Sequence, residues 1–272
     1  FGIQTEGSTY GRFDTQVTAN TTYQRYNYQH HDNIKSYFFD GTDDHITSAG
    51  AISQYNTYSY LCIHAWVLPD IAEKTDSSHR MYVSGLSSGS SNYQYYIYAR
   101  NNNTFGAYIE ADGTNGSTLS VNDTILNWGE FNLLTYIADG TDQLRTYVNG
   151  ALVAIETTYT SSIGANVSGM TLGRGQVTSN YAKCRIAQVG VWEPSSSGGL
   201  HTDAQIGAIY NAGPTANWLT DYSTDMNCYF AMGNHDSIGG APADTASTVY
   251  DRSGNGNNGT TSGTMSAPDS DT

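Results

Sequence analysis

Positive charge is scarce in this sequence of 272 residues. Eleven Lys and Arg residues stand against 25 Asp and Glu residues, which gives a formal net charge of −14 at pH 7. Because nucleic acids and anionic membrane surfaces attract basic proteins, this balance argues against both as partners. Long apolar runs are missing too, since no stretch approaches the ~18 consecutive apolar residues of a membrane-spanning helix. We therefore predict no nucleic-acid partner and no membrane insertion.

Aliphatic residues and cysteines are also few. Leu, Ile, Val and Phe make up about a sixth of the chain, a share that is typical of disordered proteins when the net charge is large. However, 22 Tyr, 4 Trp and 29 Gly residues supply buried aromatic surface and turns, which favours a folded β domain. The cysteines Cys62, Cys184 and Cys228 are far apart. Their spacing predicts buried free thiols and indicates neither a disulfide framework nor a CxxC metal site.

Short apolar runs alternate with Gly-, Asn-, Asp- and Ser-rich turns from Tyr37 onward, as expected of a β-sandwich. The run YLCIHAWVL at 60–68 is apolar on both of its faces, which predicts a central strand. Within it, His64 is predicted to be a hydrogen-bonded core histidine rather than a metal ligand. The run at 144–155 contains Asn149 and Gly150, a pair that suits the type I′ turn of a β-hairpin.

One short helix is predicted after residue 200. Thr202 is a suitable N-cap, Gln205 can complete a capping box, and Gly213 followed by Pro214 ends the pattern. We divide the chain into a polar arm at 1–35, a sandwich at 36–232 and a Gly-, Ser- and Asn-rich segment at 233–272 that packs partly on the sandwich.

A tyrosine-rich strand is the predicted recognition surface. In the run at 93–100, Tyr96, Tyr98 and Arg100 share one face. Tyrosine rings can stack on sugars or dock a protein partner at low entropic cost. The alternative is an aromatic ladder that packs under a neighbouring loop.

Two Asp-containing loops are the candidate calcium sites, because calcium takes hard oxygen ligands from loops. Asp40, Asp43 and Asp44 place three carboxylates within five residues, and Asp251 begins a DRSGNG loop with oxygens at its first, third and fifth positions. In both loops the alternative is that Asp was selected for turn geometry. We expect that no cofactor is required and treat calcium as an optional ion.

Catalytic motifs do not find the context that they need. Gly85–Gly89 fits GxSxG and Gly254–Gly259 fits GxGxxG, but neither is placed between a strand and a helix. Glu110 and Asp112 begin a carboxylate pattern typical of sandwich glycosidases, yet Asn115 stands at its closing position. We therefore predict a non-enzyme.

Seven phrases occur in an order that resembles a known family. They are YFFDGTDDHI at 37–46, YLCIHAWVLP at 60–69, WGEFNLLTYIADG at 128–140, LRTYVNGALV at 144–153, TLGRG at 171–175, CRIAQVGVW at 184–192 and IYNAG at 209–213. The series resembles the laminin-G-like, concanavalin A-like jelly-roll family. The resemblance implies an all-β, two-sheet antiparallel sandwich with one short helix. That superfamily includes lectins, adhesion modules and glycosidases, so the fold does not choose the function.

These observations predict a non-catalytic surface attachment or decoration protein. We expect an extracellular setting, on a phage virion as a capsid decoration or fibre component with lectin-like glycan binding. The expected partners are glycans or neighbouring protein subunits of a larger assembly. The alternative is a secreted bacterial adhesin or a glycoside hydrolase of the same fold.

Overall fold

In the computed structural model, the chain is described over residues 33–48, 60–71, 73, 80–87, 95–100, 104–110, 116–139, 143–157, 167–175, 180–238 and 240–270. Most of the predicted arm at 1–35 lies outside these residues, so the arm stays a prediction. The strands are β1 Lys35–Asp40, β2 His45–Ser48, β3 Tyr60–Pro69, β4 Arg80–Ser87, β5 Tyr95–Arg100, β6 Thr104–Glu110, β7 Gly116–Asn122, β8 Asn132–Asp139, β9 Leu144–Val148, β10 Ala151–Glu156, β11 Val167–Leu172, β12 Lys183–Trp192, β13 Met226–Phe230, β14 Thr248–Val249, β15 Gly259–Ser262 and β16 Asp269–Ser270. The helices are α1 Asp203–Ala212 and α2 Trp218–Asp221.

The strands form two antiparallel sheets. One sheet has the order β10-β9-β8-β3-β12-β1-β16 with β13 paired to β12, and we call it the helix-covered sheet. The other has the order β14-β15-β2-β11-β4-β5-β6-β7 and is the opposite sheet. The predicted two-sheet antiparallel sandwich is confirmed. Within the described ranges, no helix is long and apolar enough to span a membrane.

Strand β3 lies at the centre of the helix-covered sheet, between β8 and β12. Ile63 and Ala65 point into the core between the sheets, whereas Cys62 and Trp66 belong to a second apolar cluster on the outer face. All four side chains are fully buried. Burial on both faces explains why this strand is apolar at nearly every position, and the predicted central strand is confirmed.

The predicted hairpin is formed by β9 and β10. Asn149 and Gly150 connect the strands with φ values of 53° and 80°, as a type I′ turn requires. The turn also approaches helix α1 closely, because a Cβ on Gly150 would lie 3.2 Å from Cβ of Tyr210 and 3.3 Å from Cα of Gly207. Glycine at position 150 is therefore required both by the backbone conformation and by helix packing.

Helix α1 begins and ends where the sequence predicts. Thr202 and Gln205 form a capping box, and Gly213 is the C-cap with φ 83°. The helix is tied to the sheet at its first residue, because the Tyr147 hydroxyl on β9 donates to a carboxylate oxygen of Asp203 over 2.7 Å. Helix α2 was not predicted from the sequence, since it has only four residues.

The segment after β13 contributes strands to both sheets: β14 and β15 extend the opposite sheet, and β16 pairs with β1. Arg252, which is 2% exposed, lies in this segment. Its guanidinium donates to carboxylate oxygens of Asp236 and Asp244, each over 3.0 Å. This ion-paired group stabilises loops that have few apolar residues of their own.

Candidate functional site

An open groove lies on the outer face of the helix-covered sheet. Three side chains on adjacent strands form its floor, because Phe38 on β1 pairs with Arg185 on β12, and Arg185 pairs with Leu68 on β3. The groove has a volume of about 350 Å³ and is lined by Phe38, Leu68, Asp70, Ile71, Gly129, Cys184 and Arg185. Phe38 is 43% exposed and Ile71 is 66% exposed, so apolar surface is open to a ligand.

Charged groups border this apolar surface. The Arg185 guanidinium lies 5.5 Å from the centre of the Phe38 ring, within cation–π distance. Its Nη1 donates to a carboxylate oxygen of Asp269 over 2.7 Å. Asp70 forms an ion pair with Lys183 over 3.0 Å. The groove therefore combines an exposed aromatic ring with charged groups that ion pairs hold in place, and small-molecule sites generally combine apolar surface with a few placed polar groups.

A second, closed cluster lies under the helices on the same face of β3. Nε2 of His64 is 2.7 Å from Nδ1 of His201 and 3.3 Å from Sγ of Cys62. Nδ1 of His64 is 2.6 Å from the Thr135 hydroxyl. The exposed fractions of Cys62 and His64 are 0%, and that of His201 is 5%. The predicted burial and hydrogen bonding of His64 and the predicted buried free thiols are confirmed, whereas the expectation that His64 is not a metal ligand is not tested.

Burial keeps this cluster uncharged. Desolvation holds the pKa of His64 well below its ordinary value, and the neighbouring His201 lowers it further. Desolvation also lowers the pKa of His201 to about 4 and raises the pKa of the Cys62 thiol, although the backbone N–H of His201 donates to that sulfur. Both imidazoles are therefore neutral at pH 7.

Aromatic rings enclose the cluster. The His64 ring makes edge contacts with Trp192 and Trp218, at distances of 5.0 Å and 6.0 Å between ring centres. The centres of the His201 and Tyr222 rings are 5.4 Å apart. Gly190 pairs with His64 across the sheet, and a Cβ there would lie 2.4 Å from the Trp192 ring. The absence of a side chain at position 190 lets the tryptophans close over the histidines.

One residue of the predicted tyrosine surface, Tyr98, is buried in the structure. Tyr98 is 3% exposed, so its ring is not available to a ligand. This burial agrees better with the alternative of a packed aromatic ladder than with a recognition surface at that residue. The side chains of Tyr96 and Arg100 lie outside the described residues, and their role in binding stays a prediction.

Of the two candidate calcium loops, the structure brings together the carboxylates of the first. Oxygens of Asp40, Asp43 and Asp44 lie within 4.8 Å of one another. Asp40 accepts backbone N–H bonds from Thr42 and Asp43; partial burial opposes ionisation, but these bonds outweigh it and lower the pKa of Asp40. Burial raises the pKa of Asp44. The loop thus has the turn bonds of the alternative, and its calcium role remains untested.

Asp251 is separate from these carboxylates and has its own partners. Its Oδ1 accepts the backbone N–H bonds of Tyr229 and Ser253, and its Oδ2 accepts that of Asn257, each over 2.9 Å. It belongs to neither group of three potential metal ligands in the described part of the chain. Asp251 therefore ties the DRSGNG loop to β13, which is a structural role.

The catalytic motifs are placed as follows. Gly85 lies inside β4, which pairs antiparallel with the next strand in the chain, β5. This arrangement differs from the strand-to-helix elbow of a serine hydrolase. Glu110 is the last residue of β6, whereas its side chain and residues 111–115 lie outside the described residues. The glycosidase alternative is neither supported nor opposed there.

Comparison with protein families identifies the fold. A laminin G model, described as the concanavalin A-like lectin/glucanases superfamily, matches residues 40–197, more than half of the chain. The chain belongs to this superfamily. The resemblance found in the sequence is therefore confirmed, and the superfamily description covers both lectins and glucanases. A search among curated proteins finds no match to this sequence.

Solved structures share the superfamily fold. The receptor-binding domain of botulinum neurotoxin mosaic serotype C/D aligns with a TM-score of 0.52 and 10% identity over 66% of this chain and 42% of that one. NanB sialidase from Streptococcus pneumoniae aligns with a TM-score of 0.51 and 17% identity over 64% of this chain and 27% of that one. This chain thus corresponds to less than half the length of either protein. At these identities, the likeness concerns the fold alone.

Sequence reasoning missed both the groove and the closed cluster. A signal for the groove was present, because Phe38 stands between Tyr37 and Phe39, which are fully buried, and must face the other way. For the closed cluster there was no signal, since His201 is 137 residues from His64 and no local spacing connects them.

Proposed function

We propose that this chain is a non-catalytic, lectin-like attachment module that binds a glycan in the groove at Phe38, Leu68 and Arg185. The observation that carries the proposal is the exposed Phe38 ring on β1, bordered by the Arg185 guanidinium. The apolar face of a sugar ring can stack on such an aromatic surface, while its hydroxyl groups need fixed polar partners at the edge.

The position of these groups on strands favours binding with little loss of entropy. Phe38 and Arg185 lie on paired strands, and Arg185 is held by its bonds to Asp269 and Ser36. A ligand therefore meets an Arg185 guanidinium that is already held in place, which reduces the entropic cost of association.

Binding without hydrolysis is the activity that the groove supports. Glycosidases use two carboxyl groups about 5–9.5 Å apart. Among the described residues that line the groove, Asp70 is the one carboxylate, and it forms an ion pair with Lys183. We therefore retain the proposal of a non-enzyme and the glycoside hydrolase as its alternative.

We propose an extracellular setting, on the surface of a phage virion as a capsid decoration or fibre component. The 25 acidic residues outnumber the 11 basic residues, and such a charge balance suits a surface that must stay soluble without adhering to nucleic acid. Neighbouring subunits of such an assembly are then a second class of partner. A secreted bacterial adhesin is the alternative, and it would use the groove in the same way.

A glycan array tests the proposal, with Phe38→Ala and Arg185→Ala as the groove variants. Ile155→Ala is the matched control, because Ile155 is also an exposed apolar residue, 48% exposed on β10. We expect selective binding that falls at least about tenfold in each groove variant, since loss of a stacking or charged contact costs ~1.4 kcal/mol or more. The control should bind as the wild type does.

Running the array in calcium and in EDTA tests the requirement for an ion. We expect the same binding in both buffers, since no groove residue belongs to the Asp40–Asp44 loop. Binding that is lost only in EDTA would instead support the calcium site at Asp40, Asp43 and Asp44. Loss of binding in Tyr96→Ala but not in Phe38→Ala would transfer the site to the opposite sheet.

Reducing-end release from several polysaccharides tests the alternative. Sugar release by the wild type that disappears in Glu110→Gln would contradict the non-enzyme proposal. No array binding and no sugar release would contradict glycan recognition altogether and leave neighbouring subunits as the partners.

A further inference from the structure

The closed cluster of Cys62, His64 and His201 has the composition of a metal site. A thiol and two imidazoles offer one sulfur and two nitrogen ligands, and the three ligand atoms lie within 4.8 Å of one another. Metal–nitrogen distances of about 2.0–2.1 Å and metal–sulfur distances of about 2.3 Å separate neighbouring ligand atoms by roughly 3.3–3.8 Å. The observed 2.7 Å and 3.3 Å separations would need to widen by less than about 1 Å.

Neighbouring groups orient the ligands. The Thr135 hydroxyl binds Nδ1 of His64 and so directs Nε2 of that ring towards the cluster, as the outer partners of metal-bound histidines do. His201 lies just before Thr202, the N-cap of α1, and its backbone N–H donates to the Cys62 sulfur. The helix N-terminus and β3 are thus both fixed at the cluster.

The charge of the pocket selects among soft metals. The cluster offers a single anionic ligand, the Cys62 thiolate. The positive charge of Arg145 also acts on that thiol, but Arg145 forms an ion pair with Asp203. The ring and hydroxyl contacts around the cluster come from the uncharged residues Trp192, Trp218, Tyr222 and Thr135. A monovalent ion would leave the dry site neutral, whereas a divalent ion would leave a buried net charge of one, which is costly. Among ions that prefer thiolate and imidazole, monovalent copper meets this condition.

We propose that Cys62, His64 and His201 bind one monovalent copper ion in a three-coordinate site between β3 and the start of helix α1. Binding forms one copper–sulfur bond and two copper–nitrogen bonds, and the Cys62 thiol releases one proton to solvent. The hydrogen bond between Nε2 of His64 and Nδ1 of His201 is replaced by their bonds to copper, and the imidazole that donated it changes tautomer, so that its proton moves to its other ring nitrogen. The ion stabilises the attachment of α1 to the sheet and is independent of glycan binding in the groove.

The test is an anaerobic titration of the wild-type chain with Cu⁺ against the chromophoric competitor bicinchoninate. We expect one tightly bound equivalent per chain and a melting temperature that rises by several degrees, about 5 °C, because the ion binds only the folded state. X-ray absorption at the copper edge should show one sulfur and two nitrogen ligands. This measurement needs no variant, so it decides the case even where substitutions prevent folding.

Two variants and a matched control locate the site. His201→Gln and Cys62→Ser should each lower the copper affinity at least about 100-fold. Cys184→Ser is the control, because Cys184 is an equally buried free thiol in the core between the sheets, and it should bind copper as the wild type does. Circular dichroism of the copper-free variants distinguishes loss of the site from loss of the fold.

Three results would overturn the proposal. The first is no stoichiometric copper binding by the folded wild type, which would leave a hydrogen-bonded histidine pair only. The second is equal copper affinity in His201→Gln and Cys184→Ser, which would place the ion elsewhere. The third is retention of Zn²⁺ in preference to Cu⁺, which would contradict the charge argument. None of these results bears on the glycan array, so the two proposals fail separately.

Discussion

The two ends of the outer face of the helix-covered sheet differ in what covers them. His64 and Leu68 are on the same face of β3, four residues and therefore about 13 Å apart. At the His64 end, Trp192, Trp218 and His201 enclose the face and make it dry. At the Leu68 end, the Phe38 ring is 43% exposed and the face stays open as a groove. One strand thus supplies side chains to a closed cluster and to an open site, and the covering segment decides which of the two each becomes.

The covering segment comes from late in the chain. Tyr210 on helix α1 stacks on Trp66, with their ring centres 5.8 Å apart. Helix α2 supplies Trp218, which contacts His64. Neither helix reaches far enough to bury Phe38 or Ile71, which remain among the exposed large apolar residues. Helix coverage therefore separates a region built for stability from a region that can meet a ligand, and three substitutions test this separation.

Gly190→Ala should have the largest effect, because it breaks the closed end. The new Cβ would lie 2.4 Å and 2.6 Å from atoms of the Trp192 ring and 3.0 Å from the Trp218 ring. We expect the free energy of unfolding to fall by about 3 kcal/mol, measured by urea denaturation. Gly207→Ala is the control, since a Cβ at that helical position has no neighbour within 4 Å and should stabilise α1 by about 0.5–1 kcal/mol. Equal stabilities of the two variants would show that the closed end repacks freely.

Glu193→Gln should have an intermediate effect that depends on pH. Desolvation raises the pKa of Glu193, which follows Trp192 at the closed end, to about 7, although a hydrogen bond to Asn227 opposes the shift. Because the folded-state pKa is above the unfolded one, the protonated form stabilises the fold at pH below about 4.5, and this contribution is lost as pH rises through about 7. The full shift corresponds to about 3 kcal/mol. Because Glu193 is only partly buried, solvent screening should reduce the loss to about 2 kcal/mol.

The measurement for Glu193→Gln is the free energy of unfolding between pH 4.5 and pH 8. The variant should lose this part of the pH dependence and be more stable than the wild type at pH 8. The wild type, measured in parallel over the same pH range, is the reference. A variant with the wild-type slope at position 193 would mean that water reaches that carboxyl group.

Phe38→Ala should have the smallest effect on stability, because it removes a ring from the open end. Since that ring is 43% exposed, we expect the free energy of unfolding to fall by about 1 kcal/mol or less. Phe131→Ala is the matched substitution at a buried position of the outer apolar cluster, where the residue is 4% exposed, and should cost about 3 kcal/mol. Thermal or urea denaturation measures both. A cost at Phe38 as large as that at Phe131 would show that the groove is part of the structural core.

Much of the fold was predictable because its signals are local. The two apolar faces of β3, the Asn149–Gly150 turn and the Thr202–Gln205 capping box each depend on residues within a few positions of one another. The polar network of Arg252, by contrast, joins residues from separate loops, and for this part of the chain the sequence predicted only a Gly-, Ser- and Asn-rich segment that packs partly on the sandwich.

The functional residues were harder to predict than the strands. The alternation of β5 placed Tyr96, Tyr98 and Arg100 on one face, but alternation does not reveal what packs against that face, and Tyr98 is buried. Likewise, the Asp251 loop resembles a calcium loop in its spacing, yet backbone N–H groups occupy the carboxylate oxygens. The spacing of residues shows which side chains could bind a ligand. It does not show which of them other parts of the folded chain bury or bond.

The sequence by itself determined the superfamily, the alternation of buried and exposed strand positions, the hairpin and the helix caps, because all of these depend on local pattern. Only the tertiary structure decided that His64 meets His201 and that Phe38, Arg185 and Leu68 share a groove. These contacts join strands and loops that are distant in the chain, and their positions follow from sheet order and helix packing, which no local spacing encodes.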